Sequence, residues 1–147
     1  EMYEILDSVT PSMPWNQPRY LMGVGKPENI VRAVKNGIDM FDCVIPTRNA
    51  RNGWLYTSTG VVKIRNAENR TNLEPIDREC SCPACLKYSR SYIRHLLTIG
   101  ETFGLRLCTL HNLYFFQRLM SEIRFAIASG DYDLFVKQFF EKRGDET

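Results

Sequence analysis

Apolar residues at helical spacing open the chain, at Met2, Ile5, Leu6 and Val9. No N-cap residue precedes them and the chain has no initiator methionine, so the pattern predicts a helix entered in mid-course. We therefore expect the sequence to be the C-terminal part of a longer protein. Prolines then interrupt the helical pattern and predict a linker, at Pro11, Pro14 and Pro18.

A strand, a helix and a second strand are predicted next. Tyr20–Val24 has the apolar character of a short buried strand, and Gly25–Glu28 has the proline and the acidic residue of a helix start. Gly37 ends that helix, and Ile38–Val44 forms a second apolar run. Such a βαβ unit makes its two strands parallel neighbours. Because one unit cannot cover both faces of its sheet, further βα units are expected outside this sequence.

A β-hairpin and two irregular segments are predicted in the middle of the chain. Pro46–Gly53 predicts a turn that carries two arginines. Trp54–Thr57 and Val61–Ile64 flank Ser58–Gly60 in the pattern of a hairpin. Arg65–Glu79 is polar and is predicted to be a loop.

Helices are predicted for the C-terminal part. Two long helices are expected over roughly Ser89–Thr102 and His111–Ser129, with Gly130 ending the second and Asp131 capping a last helix. The predicted core face of the second long helix consists of Leu113, Phe116, Met120, Ile123 and Ile127. The residues expected to pack inward from the last helix are Phe135 and Phe139.

Three cysteines within six residues form the most informative motif: Cys80, Cys82 and Cys85. Zinc takes four Cys or His ligands in tetrahedral structural sites, and a C-x-C-x2-C knuckle supplies three from one turn. The fourth ligand would be His111, near the predicted start of its helix, since His95 lies in the middle of the preceding one. A disulfide or buried free thiols are the alternatives, although no secretion signal accompanies these cysteines. Cys43 and Cys108 lack ligand spacing and are interpreted as packing residues.

Composition indicates a packed globular domain but does not identify a binding partner. Apolar residues make up 44% of the chain and aromatic residues 12%, which suits one packed domain. The sequence has no apolar run of membrane-spanning length and no signal peptide, so we expect a cytoplasmic protein. Residues 19–70 hold nine Lys and Arg against four Asp and Glu. This excess suggests a phosphate-bearing partner, and an ordinary solvated face explains it as well.

Candidate functional residues lie where the predicted strands end. Gly23–Lys26 leads into a helix N-terminus that suits a phosphate, although a plain tight turn has the same sequence. Asp42 places a carboxylate in an apolar strand, where burial is costly unless the group is paired or functional. Arg48 and Arg51 could bind phosphates or base edges, or could form salt bridges.

An aromatic stripe follows the cysteine knuckle. Tyr88, Tyr92 and His95 fall at i, i+4 and i+7 of the first long predicted helix. Stripes of this kind form either core packing or a subunit contact, and the sequence leaves both alternatives open.

Five motifs carry a family resemblance: Arg19–Gly25, Gly37–Val44, Pro46–Gly53, the C-x-C-x2-C knuckle and Leu110–Asn112. In this order and spacing the chain resembles the tRNA-guanine transglycosylases, and the Asn-Ala-Arg-Asn-Gly wording is similar to their bacterial branch. The resemblance covers essentially the whole chain. It implies an α/β fold formed by the last βα units of a (β/α)8 TIM barrel, with a helical zinc-binding subdomain. Residues 1–66 would be the barrel part with the hairpin, and residues 67–147 the zinc subdomain.

The resemblance also implies a reaction and a set of roles. The family exchanges the wobble guanine of certain tRNAs for a 7-deazaguanine, preQ1, in queuosine biosynthesis. By its motif, Asp42 would be the nucleophile that attacks ribose C1′ and forms a covalent RNA–enzyme intermediate. The residues implied to contact the tRNA anticodon loop are Gly23, Val24, Gly25, Lys26, Pro27, Glu28, Asn29, Thr47, Arg48, Asn49, Ala50 and Arg51.

A structural zinc and a homodimer complete the implied picture. Cys80, Cys82, Cys85 and His111 would hold one zinc per chain, and the zinc subdomain with its aromatic stripe would form the dimer contact. The family's base-recognition pocket lies outside this sequence, so we expect the isolated chain to be inactive. Two alternatives remain open: a zinc-stabilised RNA-binding module in which Asp42 is structural, and an accessory subunit of the same superfamily.

Overall fold

A computed structural model of the protein describes residues 2–144 and has a mixed α/β fold. The chain divides into two compact units, the first ending at Ile45 and the second beginning at Pro46. The boundary between a barrel part (residues 1–66) and a zinc subdomain (residues 67–147) stays a prediction. Among residues 2–144, no helix has both the length and the apolar character needed to cross a bilayer.

The first unit contains the predicted βαβ arrangement. Its elements are α1 (Met2–Val9), β1 (Tyr20–Met22), α2 (Pro27–Lys35) and β2 (Met40–Asp42). The two strands are parallel neighbours, and Met22 is paired in register with Asp42. This confirms the predicted topology, because the crossover through α2 returns the chain in the same direction.

Both strands are shorter than predicted, and neither is fully buried. Only Leu21 and Phe41 face the core that Leu6, Ala33 and Ile38 form with them. The side chains on the other face of the two strands are exposed: Tyr20, Met22, Met40 and Asp42. The expectation of a buried strand at 20–24 is therefore wrong for this face, since a single βαβ unit has one helical layer to cover one side of its sheet.

The second unit begins with a helix where a turn was expected. Residues Ile45–Arg51 form α3, and Gly53 follows it with φ of 79°. Pro46 stands in the first turn of α3, where a helix does not need the missing N–H donor, so proline is compatible with a helix start. The prediction of a turn over 46–53 is therefore wrong for residues 46–51, and the turn is limited to Asn52 and Gly53.

The β-hairpin is confirmed. Strands β3 (Trp54–Thr57) and β4 (Gly60–Lys63) pair antiparallel, with Leu55 opposite Val62. The segment after β4 is largely irregular, as predicted, and holds one short 3-10 turn at Ala67–Asn69.

Four helices complete the second unit: α4 (Pro83–Lys87), α5 (Arg90–Thr98), α6 (Thr102–Ser129) and α7 (Tyr132–Arg143). Helix α5 ends four residues before the predicted limit, and α6 begins nine residues before its predicted start. Gly104 lies inside α6, and a Cβ there would approach Leu96 Cβ within 2.9 Å. The glycine therefore permits close packing of α6 on α5 and does not end a helix.

The core of the second unit lies between the hairpin and helices α4 to α6. Its buried residues include Ala50, Leu55, Ile64, Ile76, Ile93, Leu96, Leu97, Leu107 and Cys108. The predicted core face of α6 is wrong at Leu113 and Ile127, which are exposed, whereas Phe116 and Ile123 are buried as expected. Additional buried residues of this helix are Phe115, Leu119 and Ala126.

Helix α7 packs differently from the prediction. Phe140 is its buried aromatic residue, while Phe135 and Phe139 are half-buried. Gly130 ends α6 in the left-handed conformation with φ of 79°, as expected for a C-cap glycine. Asp131 is at the N-cap position of α7, but its side chain makes no cap hydrogen bond.

Candidate metal centre and catalytic carboxylate

The cysteine knuckle is a tight turn that continues into a short helix. Cys82 is the N-cap of α4, and its Sγ accepts a hydrogen bond from the backbone N–H of Cys85 at 3.4 Å. Pro83 occupies the first helical position, which fixes the turn between Cys82 and Cys85. The spacing C-x-C-x2-C thereby places three thiols on one side of the turn.

His111 completes a compact group of four ligands. Its Nδ1 lies 3.7, 3.6 and 3.3 Å from the Sγ atoms of Cys80, Cys82 and Cys85, respectively. All four ligand atoms lie within 4.8 Å of one another, and all four residues are buried. In a tetrahedral zinc site with Zn–S near 2.3 Å and Zn–N near 2.1 Å, the N–S separations are about 3.6 Å and the S–S separations about 3.8 Å. The cluster therefore has the dimensions of a zinc site.

The ring of His111 is fixed from its other side. Nε2 donates a hydrogen bond to the backbone carbonyl of Tyr56 at 2.8 Å, so in the neutral ring Nδ1 carries the lone pair that faces the thiols. His111 lies in the middle of α6 and not near a helix start, so the predicted position in its helix is wrong while the predicted ligand is confirmed as part of the cluster.

The protonation of the cluster reflects the crowding of its thiols. Hydrogen bonds with Cys80 and Cys85 lower the pKa of Cys82, and hydrogen bonds with Cys80 and Cys82 raise the pKa of Cys85. Burial lowers the pKa of His111, but the neighbouring thiols and the Tyr56 carbonyl outweigh it and raise that pKa to about 9. A metal is bound by thiolates and neutral imidazole, so binding must release protons.

The donor set identifies the kind of site. Three Cys and one His, all buried, supply every ligand from the protein and leave no open position for substrate. These residues fit one structural zinc ion. The five cysteines form no disulfide in the structure, so that alternative for the knuckle is not supported.

Asp42 is the last residue of β2 and is exposed. Its Oδ1 accepts hydrogen bonds from the hydroxyl of Tyr20 and from the backbone N–H of Gly23, the latter at 3.2 Å. The hydrogen bond from Tyr20, followed by that from Gly23, lowers the pKa of Asp42. Asp42 is therefore ionised at neutral pH. Because Asp42 is exposed, the expected cost of burying its carboxylate does not arise.

Tyr20 was not singled out from the sequence. It lies on the same face of the parallel pair as Asp42, because Tyr20 is paired with Met40, and the side chains of Met40 and Asp42, two residues apart in β2, point to the same side. The parallel register of Tyr20–Met22 with Met40–Asp42 was the signal that could have identified it. Its pKa is raised because its hydroxyl donates to the Asp42 carboxylate.

The segment Gly23–Asn29, which follows β1, packs closely against the end of β2. A Cβ on Gly25 would overlap Cβ of Cys43 and lie 2.7 Å from its Sγ, so only glycine allows this approach. Within the segment Lys26 is exposed, Pro27 is buried, and Asn29 accepts a hydrogen bond from the Tyr3 hydroxyl at 2.8 Å. The half-buried residues of the segment are Val24 and Glu28.

The segment Thr47–Arg51, which carries two arginines, lies on α3 in the second unit. Arg48 and Arg51 are exposed, and Ala50 is fully buried in the core. Asn49 donates from Nδ2 to the hydroxyl of Tyr56 at 2.7 Å, and Thr47 is half-buried. The helix thus presents its two arginines to solvent while its other side is anchored.

The aromatic stripe is a surface feature. Tyr88 is half-buried and follows α4, so it is not on α5 as predicted, whereas Tyr92 and His95 are exposed on α5. Tyr88 stacks on Tyr92 with ring centroids 5.4 Å apart. The interpretation as core packing is therefore wrong for Tyr92 and His95.

Comparison with known proteins agrees with the motifs. The sequence profile of the queuine tRNA-ribosyltransferase family matches residues 1–145. Proteins named queuine tRNA-ribosyltransferase are similar to the chain: that of Hydrogenovibrio crunogenus is 58% identical over 147 residues, covering 100% of this chain and 40% of the relative. The protein of Idiomarina loihiensis is 56% identical over 143 residues, covering 97% of this chain and 38% of the relative.

The similarity extends along nearly the whole chain but not along the whole relative. The Marinobacter nauticus protein is 55% identical over 145 residues, which are 99% of this chain and 39% of that protein. The chain thus spans about two fifths of the length of these relatives and matches their C-terminal part. Since the family profile covers almost every residue, the chain belongs to the queuine tRNA-ribosyltransferase family.

Proposed function

We propose that this chain is the C-terminal part of an enzyme that exchanges the wobble guanine of tRNA for the 7-deazaguanine preQ1. Membership of the queuine tRNA-ribosyltransferase family is the observation that most strongly supports the proposal. In this account residues 1–66 belong to the last βα units of a (β/α)8 barrel, and residues 67–147 form the zinc subdomain. A tRNA substrate places the enzyme in the cytoplasm.

Asp42 is the nucleophile in this proposal. Its carboxylate attacks C1′ of the wobble ribose, the C1′–N9 bond breaks, and guanine leaves with the bonding electrons and takes up a proton. The incoming base then attacks C1′, loses a proton, and displaces Asp42 as a carboxylate. A lowered pKa supports this role, because the attacking group must be ionised. We assign the attack to Oδ2, since the bonds from Tyr20 and Gly23 end on Oδ1.

Two segments bind the RNA in this proposal. The segment Gly23–Asn29 contacts the backbone, with exposed Lys26 at a phosphate. The segment Thr47–Arg51 contacts the anticodon loop around the wobble base through the exposed guanidinium groups of Arg48 and Arg51. Bases of single-stranded loops are recognised when they are splayed out, which makes their edges available to such groups.

The structural zinc takes no part in the reaction. When bound to Cys80, Cys82, Cys85 and His111 it would crosslink the knuckle to α6 and stabilise the second unit. The chain lacks the region in which the family's general acid/base and base pocket are expected, so we propose that the chain alone does not turn over substrate.

A base-exchange assay on the full-length protein tests the proposal. Asp42→Asn should abolish both the exchange of labelled guanine into tRNA and the covalent RNA–protein adduct seen after denaturation. Asp39→Asn is the matched control, because Asp39 is exposed, lies three residues away and accepts a backbone hydrogen bond that an amide oxygen can also accept. Retained exchange or a retained adduct in Asp42→Asn would reject the nucleophile, and turnover by the 147-residue chain alone would reject its inactivity.

We also propose a homodimer through the zinc subdomain, with Tyr88, Tyr92 and His95 in the contact. The exposure of Leu73 and Leu86, at 82% and 70%, supports a contact surface beside this stripe. Sedimentation of full-length Tyr92→Ala should show more monomer than the parent at the same concentration. An unchanged monomer fraction would contradict the assignment.

A further inference from the structure

Tyr56 joins the metal-ligating turn of α6 to the arginine-bearing helix α3. Its backbone carbonyl accepts the Nε2–H of His111 at 2.8 Å, and its backbone N–H donates to Oδ1 of Asn112 at 3.1 Å. Its hydroxyl accepts a hydrogen bond from Asn49 of α3 at 2.7 Å. One residue of the hairpin therefore contacts both helices through separate polar groups.

Asn112 makes a second link between the same helices. It is fully buried, and its Nδ2 donates to the carbonyl of Pro46 at 2.9 Å and to the carbonyl of Trp54 at 3.0 Å. Both amide hydrogens and the amide oxygen are thus used, and a flipped amide would set its oxygen against two carbonyls. The side chain that follows metal ligand His111 therefore holds the first turn of α3.

The link is rigid because its components are packed as well as hydrogen bonded. The ring of Tyr56 lies 5.9 Å from the ring of Phe115 and 5.1 Å from that of Phe116, both on α6. Helix α3 has seven residues, too few to be stable without tertiary contacts. Its order depends on buried Ala50 and on the anchors at Pro46 and Asn49.

We propose that Asn112 and Tyr56 are positioning residues that fix α3 to the metal-ligating turn of α6 and so aim Arg48 and Arg51 at the RNA. The aiming of the arginines rests on the RNA contact proposed above, whereas the anchoring of α3 does not. His111 and helix α3 are in this way held in a fixed relative position. Loss of the anchor increases the mobility of Arg48 and Arg51 while the metal stays bound.

Hydrogen exchange on the full-length protein tests the anchoring. In Asn112→Ala, the amides of residues 47–53 should exchange at least about tenfold faster. The reason is that the free energy of local opening falls by at least the net contribution of about one hydrogen bond. Amides of α5 should change less, and zinc should remain at the parent's content. Asn69→Ala is the matched control: Asn69 is buried, and the hydrogen bond that its side chain donates ends on the carbonyl of Lys63 and not on α3.

Two outcomes would overturn the anchoring. Unchanged exchange at 47–53 in a zinc-loaded Asn112→Ala protein is the first, and equal acceleration in Asn69→Ala is the second. If Asn112→Ala fails to fold, Tyr56→Phe decides, because it keeps the ring and the backbone bonds of Tyr56 but removes the hydroxyl that accepts from Asn49. This variant should accelerate exchange within 48–51 several-fold, about the effect of one weaker hydrogen bond, and no change would reject the proposal.

RNA binding tests the consequence for the arginines. Affinity for an anticodon stem-loop with guanine at the wobble position is measured at several salt concentrations. The magnitude of the slope of log affinity against log salt should decrease by about one to two in Asn112→Ala. Arg48→Ala/Arg51→Ala should lower it similarly, and adding Asn112→Ala to that double variant should change it little. Asn69→Ala should keep the parent slope.

The outcomes separate this proposal from the proposed function. If the double arginine variant binds RNA like the parent, the RNA contact is wrong, and the exchange data still decide the anchoring. If the arginines matter but Asn112→Ala keeps the parent slope while α3 exchanges faster, the positioning role is rejected and the RNA contact stands.

Discussion

The hydroxyl of Tyr20 donates a hydrogen bond to Oδ1 of Asp42 across the parallel strands β1 and β2. The two side chains belong to strands that pair over three residues, and both lie on the exposed face. This contact is the largest cause of the lowered pKa of Asp42. A residue outside the predicted site therefore lowers the pKa of the proposed nucleophile.

Replacing Tyr20 with Phe should raise the pKa of Asp42 towards its ordinary value of 3.8. The hydrogen bond favours the carboxylate, so the parent keeps Asp42 ionised to lower pH than the variant does. Carbon-13 NMR titration of the carboxyl group measures the shift. Tyr3→Phe is the control, because its hydroxyl donates to Asn29 in the same unit. Equal Asp42 titration curves for the parent and Tyr20→Phe would contradict the assignment of the lowered pKa to Tyr20.

Gly25→Ala should destabilise the chain by about 1–3 kcal/mol, the usual cost of forcing extra atoms into a packed site. The new methyl group would overlap Cβ of Cys43 and crowd its Sγ. Denaturant unfolding of four proteins measures the effect: the parent, Gly25→Ala, Cys43→Gly and the double variant. The alanine should cost little in the Cys43→Gly background, because the clashing atoms are gone. The same cost in both backgrounds would show that the close approach is not its cause.

The sequence was most informative where local chemistry determines the structure. The knuckle of Cys80, Cys82 and Cys85 predicted the ligand cluster because three thiols in one turn have few other uses. The parallel pair of β1 and β2 followed from the handed crossover through α2, and Gly130 ended α6 as a C-cap glycine does. Each of these features follows from a short local motif or from a general rule of chain connection.

Features that depend on tertiary packing were missed. Pro46 suited both a turn and a helix start, and buried Ala50 with the anchors from Asn112 and Tyr56 selected the helix. The start of α6 was predicted nine residues too late, because the close packing of Gly104 against α5 cannot be read from the sequence. Roles for Tyr20 and Asn112 could not be read from periodicity, because each acts through a partner distant in sequence.

Asp77→Ala should destabilise the chain by about 1–3 kcal/mol, because it removes a buried acceptor and leaves three part-buried donors without their partner. The carboxylate of Asp77 is buried and accepts from the N–H and hydroxyl of Ser58, both at 2.9 Å, and from the N–H of Glu79 at 3.0 Å. It thus joins the hairpin turn to the segment before Cys80. Denaturant unfolding at neutral pH measures the loss, and Asp131→Ala is the control, since the Asp131 side chain makes no cap bond. Equal stability of Asp77→Ala and the parent would contradict the role.

The contribution of Asp77 should also depend on pH. Burial raises its pKa, but hydrogen bonds from Glu79 and Ser58 outweigh it and hold that pKa below the ordinary 3.8. A carboxyl whose folded-state pKa is lowered stabilises the fold above its unfolded pKa and loses this effect as pH falls through the folded value. The stability difference between the parent and Asp77→Asn should therefore shrink below about pH 4. Zinc content is measured at each pH, because only proteins that keep the metal can be compared. A difference that stays constant between neutral pH and pH 3 would contradict the pKa assignment.

The zinc content of the purified chain, measured with its unfolding, tests the central claim most directly. We predict one zinc per chain, lost together with cooperative unfolding in Cys80→Ser, because the ion would crosslink the knuckle to α6. Cys108→Ser is the control, since Cys108 is a buried cysteine outside the ligand cluster, and it should keep the metal. A metal-free parent chain that still unfolds cooperatively would contradict the account, because the ligand cluster would then not depend on zinc for its structure.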